Sequence, residues 1–180
     1  MCNLKIVDLI QCGQLCKRIR SISHDESLWQ KMNLFRRPVP TEFVQLIINN
    51  GCKYLSFYNA TIQGTAITIK SSQLRYLDLS NCNIDNIVLQ KLLFSCHLLE
   101  KLSLYEQQVT SKLVSRICLQ NGQSLKVLVL SQCKGLELES IQHIVKNCVE
   151  LTEINFDCTY LPKDAIDFLA NNPMTKVTRK

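Results

Sequence analysis

The sequence predicts an α/β fold: a curved parallel sheet made by stacking short strands, with helices on its outer side and a small α-helical segment in front. Three observations predict it. Residues 74–82, Leu-Arg-Tyr-Leu-Asp-Leu-Ser-Asn-Cys, place leucines at 74, 77 and 79. The same apolar frame returns at Leu99, Leu102 and Leu104, at Leu125, Leu128 and Leu130, and at Leu151, Ile154 and Phe156, in steps of 25, 26 and 26 residues. It also runs backward to Cys52, Leu55 and Phe57, then to Trp29, Met32 and Leu34, in steps of 22 and 23. Each unit holds one strand too short to bury its own apolar face, so neighbours must stack into a solenoid.

A constant step in this range is the mark of leucine-rich repeats. It places about six strands, near residues 32, 55, 77, 102, 128 and 154, in a solenoid over 32–180 behind a helical segment at 1–31. Residues 4–20 have helical spacing, with Leu4, Val7 (or Asp8), Ile10, Leu15 and Ile19 on one broad face and a break near Gly13. Ser23 followed by Glu26 reads as a capping box ahead of Leu28 and Trp29. Arg36-Arg37-Pro38-Val39-Pro40 reads as a loop, and Thr41–Asn50 as a helix with Phe43, Val44, Leu46 and Ile47 inward and Gly51 at its end. Residues 59–73 hold Gly64, Thr65, Ile67, Thr68 and Ile69, which favour extended backbone, so this repeat is expected to lack an outer helix. Helices are expected near 85–96, 110–121, 139–148 and 162–171, with Asp85 and Thr110 as N-caps and Pro162 in the last helix's first turn. The final seven residues read as a frayed polar tail.

The chain has 180 residues, 46% of them apolar, and a net charge of +6. The basic residues are scattered; Lys17-Arg18-Ile19-Arg20 and Arg36-Arg37 are the densest groups before the tail, and neither is a nucleic-acid patch. No membrane span and no signal peptide are read. The ten cysteines sit largely in the repeat frame: Cys82 and Cys133 follow a strand by three residues, and Cys96 and Cys148 precede a frame leucine by three. They read as reduced packing residues of an intracellular protein, cytoplasmic and nuclear.

Catalytic readings are weak. Cys96-His97 is the one direct Cys/His pair, and adjacent residues at a helix end rarely face each other across a cleft. Cys12 and Cys16 have metal-compatible spacing but no second pair at zinc spacing. No cofactor, no metal and no enzymatic activity are expected, a thiol enzyme being the outlying alternative. The face opposite the inward leucines is more informative. It carries Tyr54, Ser56, Tyr58 and Asn59; Tyr76, Asp78, Ser80 and Asn81; Lys101, Ser103, Tyr105 and Glu106; Val127, Val129, Ser131 and Gln132; and Glu153, Asn155, Asp157 and Cys158. Four of the five tyrosines fall there, and tyrosine is enriched at binding hot spots. Tyr54, Tyr58, Tyr76, Asp78, Lys101, Tyr105 and Glu106 are the candidate partner-binding set.

Leu15-Cys16-Lys17-Arg18 and the run Asp25-Glu26-Ser27-Leu28-Trp29 resemble the second half of an F-box, and the whole chain resembles the F-box/leucine-rich-repeat family. The resemblance implies a substrate-recognition subunit of an SCF-type (cullin–RING) E3 ubiquitin ligase. Its adaptor, S-phase kinase-associated protein 1, would dock on Leu9, Ile10, Leu15, Cys16, Lys17, Arg18 and Trp29, and a cullin would follow. The target would be a protein, a cell-cycle regulator among the candidates, with no nucleic-acid or membrane partner. An F-box opens with a Leu-Pro-x-Glu-type helix that Met1-Cys2-Asn3-Leu4 falls behind, and Ile19 stands where tryptophan is usual, so adaptor binding is expected to be weakened. Family members also carry further C-terminal repeats and a tail. The alternative is a repeat scaffold or truncated isoform that binds partners without engaging the ligase. Trp29 has a second reading, closing the open end of the first repeat.

Overall fold

In a computed structural model, residues 25–171 and 176–178 are described. Six of the expected strands are present, each three residues long: β1 (Lys31–Asn33), β3 (Tyr54–Ser56), β5 (Tyr76–Asp78), β6 (Lys101–Ser103), β7 (Val127–Val129) and β8 (Glu153–Asn155). A seventh, β9 (Lys176–Thr178), lies in the stretch expected to fray. All seven form one parallel sheet in the order β1-β3-β5-β6-β7-β8-β9. The register stacks Met32, Leu55, Leu77, Leu102, Leu128, Ile154 and Val177 in one row. This row is the middle position of the apolar frame, so the sequence period is also the register. Parallel pairing needs a long return for every strand, which the 22–26-residue step supplies.

The returns differ. Between β1 and β3 runs α2 (Thr41–Asn49); after β5, β6, β7 and β8 come α3 (Asn86–Phe94), α4 (Ser111–Asn121), α5 (Leu138–Asn147) and α6 (Lys163–Asn171). No helix lies between β3 and β5. Asp85 caps α3, accepting N–H bonds from Ile87 at 2.8 Å and Val88 at 3.3 Å, and Thr110 caps α4 through Leu113 N–H at 3.2 Å. Gly51, at φ 82°, takes the left-handed turn that ends α2. Consecutive helices from α3 to α6 pack on one another, so they form one layer over the sheet.

The core lies between these layers. All three frame positions of every repeat from Trp29 to Phe156 are buried, none more than 9% exposed. Ile48 joins Val44 and Ile47 in the core, while Phe43 and Leu46 are only half-buried. Buried amides join the repeats: Asn121 donates to the Cys96 carbonyl at 3.0 Å and accepts from Leu99 N–H at 2.9 Å, and Gln107 donates to the carbonyls of Leu79 and Cys82. Each satisfies a backbone group that the short strands leave without a partner.

Several local expectations are corrected. Residues 38–40 are not loop but a strand, β2 (Pro38–Pro40), paired in parallel with β4 (Thr61–Gln63). Proline's fixed φ suits extended backbone, and in this outer two-stranded ribbon only alternate residues need donate. Val39, between the prolines, is buried. The short helix α1 (Glu26–Trp29) is capped by Asp25, whose carboxylate accepts from Ser27 N–H at 2.9 Å, rather than by Ser23, which lies outside the described residues. Pro162 precedes α6, its carbonyl accepting from Ile166 N–H at 3.1 Å. Trp29, expected both at the adaptor surface and at the end of the first repeat, is buried in the core at 2% exposure.

Candidate partner-binding face

In each sheet strand from β1 to β8 the middle residue is buried in the core, and strand alternation turns its two neighbours the other way. The sheet register therefore sets two rows across the open face. One is Lys31, Tyr54, Tyr76, Lys101, Val127, Glu153; the other is Asn33, Ser56, Asp78, Ser103, Val129, Asn155. Adjacent strands are ~4.8 Å apart, so row neighbours touch.

The first row is aromatic and cationic at its near end. The rings of Tyr54 and Tyr76 meet with centroids 6.4 Å apart, and Lys101 Nζ stands 5.7 Å from the Tyr76 centroid. Beyond the strand ends, Phe35 and Tyr58 stack at 5.6 Å, with the Arg36 guanidinium 4.9 Å from the Phe35 ring. At the near end of the two rows lies a depression of ≈ 280 Å³ lined by Lys31, Met32, Asn33, Tyr54, Ser56 and Tyr76. Phe35, Tyr54 and Tyr58 remain more than 40% exposed. Stacked rings lose little further side-chain entropy when a partner covers them, which is the setting in which tyrosine contributes most to binding.

The second row is a hydrogen-bonded ladder. Ser56 Oγ donates to Asp78 at 3.0 Å, and Asp78 also accepts the Ser80 N–H at 3.0 Å. The Ser80 and Ser103 hydroxyls bond at 2.7 Å, and Ser131 Oγ donates to Asn155 Oδ1 at 2.6 Å. Ser80, Ser103 and Ser131, expected on the open face, are buried beneath their larger neighbours. They brace the face rather than present it.

The phenols of Tyr76 and Tyr105 are held protonated. Partial burial, then the Asp78 carboxylate, pushes the Tyr76 hydroxyl above its ordinary range. Loss of hydration, then Glu106, does the same for Tyr105. Both remain hydrogen-bond donors at neutral pH.

A turn closes each strand onto the next. Arg36, Asn59, Asn81, Glu106, Gln132 and Cys158 all have φ between 48° and 61°. Their backbones continue the ladder: Arg36 N–H donates to Tyr58 O, Asn59 to Ser80 O, Asn81 to Tyr105 O, Glu106 to Ser131 O and Gln132 to Asp157 O, at 2.8–3.2 Å. Left-handed backbone is costly for residues other than glycine, asparagine and aspartate, so the ladder over-determines these positions.

Of the candidate set, the structure brings Tyr54, Tyr76, Asp78 and Lys101 into one patch and keeps Tyr58 beside Phe35. Tyr105 and Glu106 stand one turn further along, where Glu106 contacts the Tyr105 hydroxyl. Lys31, Asn33, Phe35 and Arg36 belong to this surface and were missed. Lys31 and Asn33 flank Met32 as Tyr76 and Asp78 flank Leu77, so carrying the frame one strand further back would have found them. Leu9, Ile10, Leu15, Cys16, Lys17 and Arg18 lie outside the described residues.

The neighbouring Cys96 and His97 make separate contacts. Cys96 is fully buried with Sγ on the Leu92 carbonyl at 3.3 Å, and burial pushes it up to about 11. His97 is turned away, its ring nitrogens on Ser95 O at 3.1 Å and Gln120 Nε2 at 2.9 Å. Burial likewise raises Cys52 to about 11, and Cys82 and Cys133 to about 12. The seven described cysteines are all free. Among the described residues, no three metal-ligating side chains gather, and no helix is long and apolar enough to cross a membrane.

An F-box-like family model matches residues 1–34. The matched stretch contains the Cys16-Lys17-Arg18 and Asp25–Trp29 runs and overlaps β1, the first strand of the sheet. F-box domains typically bind the S-phase kinase-associated protein 1 adaptor of SCF-type ubiquitin ligases. The chain thus carries an F-box-like domain running directly into a parallel α/β sheet, and that domain supports an F-box protein.

Proposed function

We propose that this chain is a non-catalytic recognition subunit of an SCF-type ubiquitin ligase. Residues 1–34 take the adaptor, which links to the cullin, and the open face of the sheet holds the target protein. In this reading the sheet is a leucine-rich-repeat solenoid, and the chain is similar to S-phase kinase-associated protein 2. The observation that carries the proposal is that the F-box-like match reaches residue 34 and so includes β1, the first strand of the sheet that bears the aromatic face.

The test is affinity capture of the full chain from cells, scored for the adaptor and cullin. Recovery of both supports the ligase role. Recovery of other partners without either overturns it in favour of a repeat scaffold that competes with intact receptors.

A further inference from the structure

The outer surface carries a second feature that the open face does not explain. Because no helix lies between β3 and β5, the stretch 67–72 runs along the outside as an extended strap. Gln45 and Asn49 of α2 hold it, accepting the N–H groups of Thr68 at 3.0 Å and Lys70 at 3.1 Å. A strap is thinner than a helix, so a depression of ≈ 770 Å³ opens between it and the end of α3, with Ile67, Ile69 and Phe94 among its lining residues and Lys70 and Lys91 beside them. A second depression, of ≈ 520 Å³, lies across α4 and the start of α5 and includes Lys112, Arg116 and Leu119. Phe94 lines both, so the two depressions adjoin at that ring, and together they make up the groove. The Arg116 guanidinium stands 5.5 Å from the Phe94 centroid.

The charge along this groove is one-sided. Lys70, Lys91, Lys112 and Arg116 line it, and the one carboxylate, Glu139, is 3.7 Å from His143. Its apolar groups are recessed, apart from Leu119, which is 66% exposed. Adjoining depressions that mix apolar and cationic lining residues suit a narrow chain whose apolar side chains alternate with carboxylates. A nucleic-acid duplex or a membrane surface would need a continuous, outward basic face instead.

We propose that the groove from the 67–72 strap across Phe94 to Leu119 is a second docking site, which takes an acidic, apolar-anchored linear segment of a partner protein. The site is on the helical side and is independent of the open face.

The test is fluorescence anisotropy with the full chain and a labelled peptide that intersperses Glu and Asp with Phe and Leu. Controls are the same peptide with Gln and Asn for its acids, a labelled DNA duplex and vesicles of phosphatidylserine. The acidic peptide should bind, weaken as salt rises, and lose about tenfold in affinity to the double variant Lys91→Glu/Arg116→Glu. Leu119→Ser, on a residue exposed in the free chain, should also weaken it while the unfolding midpoint stays in place. Equal binding of the uncharged peptide, no loss in either variant, or binding of duplex or vesicles in preference to peptide would overturn the proposal.

Discussion

The repeats from β5 to β8 and the one between β3 and β5 share a register and differ in everything outside it. The former have 25–26-residue steps, an outer helix each, and buried amides bridging β5 to β6 and β6 to β7. The latter has a 22-residue step and an extended strap held by two side chains. The strands need only the apolar frame, so the open face runs evenly across both. The outer layer depends on what fills the return: the 23-residue step from β1 to β3 still carries α2, whereas residues 64–69 after β3 hold Gly64, Thr65, Ile67, Thr68 and Ile69, which favour extended backbone. Local residue preference in each return thus sets the outer layer, and the frame sets the face.

Perturbing the regular side should cost most. Leu102→Ala empties a fully buried position between β5 and β7 and should destabilise by about 2–5 kcal/mol in urea unfolding. Gly122→Ala should cost about 1–3 kcal/mol, since a Cβ there would meet the Asn147 carbonyl oxygen at 2.0 Å, backbone that cannot step aside. In contrast, Gln45→Ala with Asn49→Ala should cost about 1 kcal/mol or less. Hydrogen exchange should speed up at Thr68 and Lys70 while the amides of β6 and β7 stay protected. Global loosening by that pair would mean the strap is as integral as a helix.

The sequence showed the strands because a buried frame repeats by composition alone: Leu, Ile, Phe and Cys at fixed offsets. It showed the tyrosines because strand alternation follows from the frame. It did not show β2, since Pro38 and Pro40 read as breakers, nor β9, since Lys176-Val177-Thr178 has a single apolar residue. The burial of Ser80, Ser103 and Ser131 was not legible either; a small hydroxyl is covered or presented according to its neighbours' bulk across the register, which one repeat does not contain. Phe35 and Arg36 were hidden by a loop-like context, although Arg36 occupies the same left-handed turn as Asn59 and Asn81.

The smallest effect concerns the edge where strands begin. Glu100 pairs with Arg75 and with Lys126, the latter at 3.5 Å, and the hydrogen bond from Arg75 holds its carboxyl below the usual range. A folded-state pKa below the unfolded value gives stability that is full above the ordinary carboxylate range and is lost as pH falls through the folded value. Glu100→Gln should therefore narrow the gap between neutral and acid unfolding midpoints slightly, because the pair is exposed.

The central claim is that the open face of the near strands is the recognition surface. Its most direct measurement is the affinity of a captured partner for the parent chain and for Tyr76→Ala and Tyr105→Ala, with unfolding midpoints recorded alongside. The account predicts losses of about 1–2 kcal/mol or more per ring at nearly unchanged stability. Parent-like binding by both variants would contradict it and move recognition to another surface.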